Sequence, residues 1–179
     1  MKLLTYKKVS RLAAIMLYVA LSLLSTGATA NQTINLSVTT HLGDTQSFRE
    51  GDMVSFYIGL EKDAYVTIVY QDASDRLSVL LPNALHPNSF FQAGLFIPIP
   101  DDRNPFQFRI TAPFGTETLW VFASDKPLPP LSSSGTTSLT DTISSLRNSL
   151  KEHCRKNKAL FEEASLSIKT TAASSSPLP

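Results

Sequence analysis

The sequence predicts a mainly β protein: a single β-sandwich-like domain of about seven short strands, then a Pro/Ser linker and one C-terminal amphipathic α-helix. Three observations lead there. Between Ile34 and Ser124, apolar residues alternate with polar ones in short runs. Those runs are separated by clusters of Gly, Pro, Asn and Asp. Beyond Pro127 the composition changes, first to Pro and Ser and then to apolar residues at helical spacing.

The first thirty residues stand apart. Lys2, Lys7, Lys8 and Arg11 precede the apolar run Leu12 to Leu24, which is followed by Ala28-Thr29-Ala30. A basic start, a short apolar centre and a small-x-small site are the parts of a secretory signal peptide, so residues 1–30 are expected to direct export. The run falls short of the roughly 20 apolar residues that a membrane-spanning helix needs. Without those four cations, the remaining 12 basic residues stand against 15 acidic ones, a net charge of −3. That balance gives no concentrated basic face for nucleic acid.

Within residues 31–128 each strand has its own signal. Ile34, Leu36 and Val38 alternate with polar neighbours, and Glu50-Gly51-Asp52 turns the chain into Met53 to Leu60, where Val54, Phe56, Ile58 and Leu60 share a face. Ala64 to Gln71 is rich in β-branched and aromatic residues. Asp72-Ala73-Ser74-Asp75 makes a hairpin-like turn into Leu77 to Leu81, which ends at Pro82-Asn83. Gly94 to Ile99 forms a further strand, pushed to a sheet edge by Pro98 and Pro100. Phe106, Phe108 and Ile110 alternate again, and Pro113-Phe114-Gly115 leads into Thr118 to Ser124. Two strands, Ala64 to Gln71 and Thr118 to Ser124, are apolar on both faces, which predicts central positions covered on both sides. The cover is expected from the second sheet and loops, with a docked helix or partner as the alternative.

Residues 129–138 read as a linker, stiff at its prolines. Residues 139–169 read as one amphipathic helix, entered through Ser138 and Asp141 at capping-box spacing. Its stripe is Ile143, Leu146, Leu150, Cys154, Phe161, Ala164 and Ile168, interrupted by Asn157. Residues 170–179, mostly Thr, Ala, Ser and Pro with no charge, read as a disordered tail. Charge divides with these parts: residues 31–138 carry six basic and eleven acidic groups, residues 139–179 six and four. An acidic β-domain and a basic helix would attract one another, or would serve as separate contact surfaces.

A search for chemistry finds little to build on. His41, His86 and His153 sit in no metal-ligand spacing, and no G-x-S-x-G elbow or phosphate-binding glycine loop occurs. Asp72 with Asp75 and Asp101 with Asp102 are read as turn formers lacking the other ligands of a calcium loop. No cofactor is expected and the chain is not read as an enzyme. Cys154, the single cysteine, lies on the helix stripe and is expected to be buried.

The run Glu50-Gly51-Asp52, then Asp63 to Asn83, then Ala93-Gly94, Ile97-Pro98 and Ala112 to Leu128 resembles the family called domain of unknown function 4384. The resemblance rests on a Gly-Asp before a strand, an Asp-x-Tyr strand, a Leu-x-Pro-Asn strand end, the Ala-Gly and Ile-Pro pairs, and Pro-x-Gly-x-Glu before the last strand. It covers residues 48 to 128 and implies a compact β-rich module of bacterial proteins, with no established activity or catalytic residues to carry over.

The expectation is therefore a non-catalytic protein of the bacterial envelope, periplasmic or otherwise exported, serving as an interaction or structural module, for instance an accessory component of a secretion or surface assembly. Other envelope proteins are its expected partners. Ile143, Leu146, Leu150 and Phe161 are its candidate partner-binding residues, because a detached apolar stripe needs cover. The alternative is a ligand- or glycan-binding module using Trp120, Tyr65, Phe90 and Phe91. Membrane contact by the basic helix is a variant, opposed by Glu152, Glu162 and Glu163.

Overall fold

The computed structural model describes residues 33–45, 47–84, 86–94, 96–100, 107–131 and 142–173. The leader segment, Ser138 and Asp141 of the expected cap, most of the linker and the last six residues lie outside them. Eleven strands and one helix are formed among the described residues. The short ones are β1 (Leu36–Thr40), β2 (Ser47–Arg49), β3 (Met53–Val54), β4 (Phe56–Leu60), β7 (Phe90–Phe91), β8 (Ile97–Ile99) and β9 (Phe108–Arg109). The longer or more central ones are β5 (Ala64–Gln71), β6 (Leu77–Leu81), β10 (Thr116–Ser124) and β11 (Phe161–Thr171), with α1 (Ile143–Lys156) preceding β11. The fold class is the mainly β, sandwich-like one that the alternation predicts.

Two sheets face each other. The smaller is antiparallel, in the order β1-β4-β8, with proline-bearing β8 at its edge as expected, since a proline nitrogen cannot donate to a further strand. The larger has the order β2-β11-β10-β5-β6, with β7 also pairing β5. A separate two-stranded ribbon joins β3 to β9. Between the sheets lies the inner core: Phe56, Ile58 and Leu60 of β4 against Val66, Ile68, Leu119, Val121, Leu166 and Ile168 of the larger sheet. Val54, Phe56, Ile58 and Leu60 are all buried, as their shared parity requires.

β5 and β10 are neighbours at the middle of the larger sheet, and their apolar second faces are covered by the alternative, a docked helix, and not by the expected second sheet. The cover is α1. Leu146 and Leu150 pack against Val69, Leu77 and Phe122, forming an outer core on the far side of the sheet. The sequence thus builds three layers: small sheet, large sheet, helix. A register shift between β5 and β6 at Ile68/Val69 serves both cores. Leu77 and Leu81, four residues apart, would share one face of a regular strand. The bulge reverses the parity, so Leu77 joins the outer core and Leu81 the inner one.

The C-terminal region departs from the expected single helix. The helix starts at an N-cap on Thr142, whose Oγ1 accepts the Ser145 N–H at 3.3 Å. It ends at Lys156, with Asn157 as C-cap and Lys158 in the left-handed region at φ 50°. Asn157, which interrupts the apolar stripe, is therefore the residue that stops the helix. Residues 161–171, expected to be helix and then disordered tail, form β11 instead. Leu166, Ile168 and Thr170 are buried there while Ser165, Ser167 and Lys169 are exposed, a period of two. β11 pairs antiparallel with β10 over nine positions and parallel with β2 over three.

The junction is fixed by two adjacent side chains after β10. Lys126 Nζ donates to the Asn157 and Lys158 carbonyls at 2.7 and 3.3 Å, where the helix leaves acceptors unpaired. Asp125 Oδ1 accepts the Leu160 N–H at 2.7 Å, starting the return strand.

Candidate functional site: the outer face of the small sheet

The four residues expected to bind a partner do come together, but inside the protein. Leu146 is 5% and Leu150 0% exposed, and both sit in the outer core with Ile143 and Phe161 packed alongside. Phe161 stacks on Phe122, ring centroids 6.1 Å apart. This corrects the expectation of a free stripe: the protein's own large sheet occupies it. Around its rim, Arg147 Nε pairs with Glu163 Oε1 at 2.6 Å and its guanidinium lies 5.0 Å from the Trp120 ring centroid. The helix's Arg147 is thus held both by Glu163 of β11 and by the Trp120 ring of β10.

The aromatics proposed for a glycan are similarly engaged. Trp120 lies under Arg147 and donates from Nε1 to Gln71 Oε1 at 2.9 Å. Tyr65 packs on Phe90 at 5.1 Å, and Phe91 packs against the inner core. Phe90 alone of these is a large exposed hydrophobic residue, at 39%.

The residues with chemical potential serve the fold. His41 Nδ1 accepts the Ser55 N–H at 3.3 Å in the turn after β1. His86 donates its N–H to Asn83 Oδ1. Cys154 is buried as expected, 3.6 Å from Ser124 Oγ. Asp72 accepts the Ser74 and Arg76 N–H groups at 2.8 and 3.0 Å and pairs with Arg76 Nε at 2.8 Å. Partial burial raises its carboxyl pKa, but the hydrogen bonds from Arg76 and Ser74 outweigh this and hold it below the ordinary aspartate value.

One buried carboxylate was not anticipated. Glu117, 2% exposed, accepts hydrogen bonds from the Tyr70 hydroxyl and, at 2.9 Å, from Thr170 Oγ1. Thr170 also accepts the Gly115 N–H at 3.1 Å, so the cluster ties β5, β10 and β11 to the turn before β10. Burial raises the Tyr70 pKa, and the hydrogen bond to Glu117 raises it further. The cluster is buried and links strands.

The motif residues behave alike. Gly51, at φ 91°, turns into β3, and the Asp52 carboxylate accepts the Arg49 N–H at 2.7 Å. Asp63 accepts the Ala93 N–H at 2.8 Å, and Gly94 donates its N–H to the Leu60 carbonyl. Asn83 donates to the Leu80 carbonyl at 2.6 Å. Gly-Asp, Asp-x-Tyr, Pro-Asn, Ala-Gly and Gly-x-Glu each close a turn or join strands.

What the sequence did not reveal is a binding-shaped surface on the outer face of β1-β4-β8. Phe96, just before β8, is 64% exposed, the highest value among the exposed large hydrophobic residues described. It lies over Gly59 of β4: a Cβ there would come within 3.3 Å of the ring and 2.5 Å of Ser37 Oγ, so glycine leaves the ring its seat. Phe96 borders two open clefts. One, of about 480 Å³, is lined by Asn35, Ser37, Glu61 and Glu162 among others. The second, of about 370 Å³, is lined by Thr39, Thr40, His41 and Tyr57. An isolated aromatic in a turn carries no periodicity, and Glu162 reaches the cleft only because β11 is a strand; neither fact is visible in local sequence.

No curated protein and no solved structure matches the chain. Residues 47–127, from β2 through the end of β10, match the family model described as a domain of unknown function (DUF4384).

Proposed function

We propose that the protein is exported to the bacterial envelope and acts there as a non-catalytic interaction module, binding another envelope component through the outer face of the small sheet. Export is supported by the basic, apolar and small-residue order of residues 1–30. The observation that carries the binding reading is Phe96, 64% exposed and flanked by two clefts on one sheet face. An aromatic ring set beside clefts that carry a few polar groups has the make-up of a ligand-binding surface. A role as an accessory component of a secretion or surface assembly fits this reading, with the contact surface moved from the helix stripe to the small sheet.

The test is purification of the tagged protein from its native envelope in mild detergent, comparing wild type with Phe96→Asp. The wild type should travel with a stoichiometric component, and the variant should run alone with an unchanged unfolding midpoint. A variant that still carries the component refutes this face as the contact.

A further inference from the structure

We infer that the cleft between Asn35, Glu61 and Phe96 is a binding site for a neutral oligosaccharide; this rests on the reading of the small-sheet face as the binding surface and names its ligand class. Three features converge on a sugar.

The first is the ring. Phe96 is seated on Gly59 and remains 64% exposed, so it is available as a platform. Pyranose rings carry patches of C–H groups, which gain from leaving water against an aromatic face.

The second is a fixed polar pair beside it. Thr33 Oγ1 donates to Asn35 Oδ1 at 2.9 Å, and Asn35 Nδ2 donates to Glu61 Oε2 at 2.5 Å. Asn35 stands in the left-handed region at φ 50°, and the Glu61 N–H approaches the Ile34 and Asn35 carbonyls at 3.3 Å each. Both side chains are thereby oriented before any ligand arrives. An amide has two N–H groups and a carboxylate two oxygens, so the pair retains a donor and acceptors for vicinal hydroxyls. Preorganised polar groups next to an apolar surface in a cleft of a few hundred Å³ are the usual make-up of a small-ligand site.

The third is charge and extent. Among the described residues lining this cleft, Glu61 and Glu162 are the charged ones, and none is a cation. That repels uronates and phosphorylated sugars and admits uncharged ones. Phe96 also borders the second cleft, with Thr39, His41 and Tyr57. A chain crossing the ring would occupy both, which favours an oligosaccharide over a single sugar.

The experiment is isothermal titration calorimetry of the purified protein with three probes: a tetramer of N-acetylglucosamine, a tetramer of glucose and a tetramer of galacturonate. Wild type should bind at least one neutral tetramer with Kd of about 1 mM or tighter, and the galacturonate tetramer at least about tenfold more weakly. Phe96→Ala and Glu61→Gln should each weaken the neutral tetramer about tenfold with unchanged unfolding midpoints. Failure of both neutral tetramers, equal binding of galacturonate, or full affinity in Phe96→Ala overturns the inference. If the tetramers fail while Phe96→Asp still releases an envelope component, the saccharide inference alone falls. If neither occurs, the binding face falls with it.

Discussion

At the scale of single residues, the most informative group is the buried Glu117 with its two hydroxyl donors. A carboxylate removed from water must keep its hydrogen bonds, and the Tyr70 and Thr170 hydroxyls supply them here. Removing one donor leaves charge under-satisfied, so Tyr70→Phe should lower stability by about 1–3 kcal/mol, measured by urea unfolding at pH 7. The same hydroxyl gives a pH signature. Its pKa is raised in the folded state, so its contribution is complete below the ordinary tyrosine value of about 10 and is lost as pH climbs above it. Wild type should therefore lose stability between about pH 10 and 11.5 more steeply than Tyr70→Phe. Parallel slopes would show that Tyr70 is not the group responsible. Asp72 has the opposite sign. Its folded pKa is depressed, so its contribution is present at neutral pH and fades as the medium is acidified below about pH 4. Asp72→Asn should accordingly be less stable than wild type at pH 7, with the gap narrowing as the pH falls below the ordinary aspartate value of about 4.

At the scale of elements, the helix and its following strand show what local sequence can and cannot decide. β5 and β10 were legible because Val, Ile, Tyr, Phe and Trp crowd into short runs bounded by turn residues, and their second apolar faces required cover. The cover itself was legible as an amphipathic helix; that it belongs to this sheet was not, because the partner is distant in sequence. The extent of the helix was ambiguous for a definable reason. Phe161, Ala164 and Ile168 satisfy helical spacing, while Leu166, Ile168 and Thr170 against Ser165, Ser167 and Lys169 satisfy strand alternation. The edge of β10 settles the matter, since nine residues of ladder await a partner there. In β11, Phe161 and Ile168 have opposite parity: the first faces the helix and the second the inner core. It follows that Leu150, read from sequence as a contact for others, is a stability residue. Leu150→Ala should cost about 2–5 kcal/mol in chemical unfolding. Leu150→Asp should abolish the cooperative transition; a folded Leu150→Asp protein would restore the helix stripe as a free surface.

At the scale of the whole molecule, the family match and the folded unit have different boundaries. The matched segment, residues 47–127, ends just after β10 and omits β1, α1 and β11. Yet β11 lies between β2 and β10 in the sheet, and it brings Leu166 and Ile168 to the inner core. Without it β2 has no neighbour, one edge of β10 is open, and the Glu117 carboxylate loses Thr170. Without α1, Val69, Leu77 and Phe122 face water across the other side of the same sheet. Exposing an apolar sheet face and a long open edge together invites association instead of folding. The fragment 47–127 should therefore show no cooperative thermal transition by circular dichroism, and should aggregate at concentrations where the fragment 33–173 melts as one unit. Because α1 and β11 are contiguous in the chain, a peptide of residues 142–173 added in trans should dock through the β10 edge and restore a transition that depends on peptide concentration. A fragment 47–127 that melts sharply by itself would mean that β11 and α1 are attached to a complete domain; the observed strand order, with β11 inside the sheet, argues that they complete it.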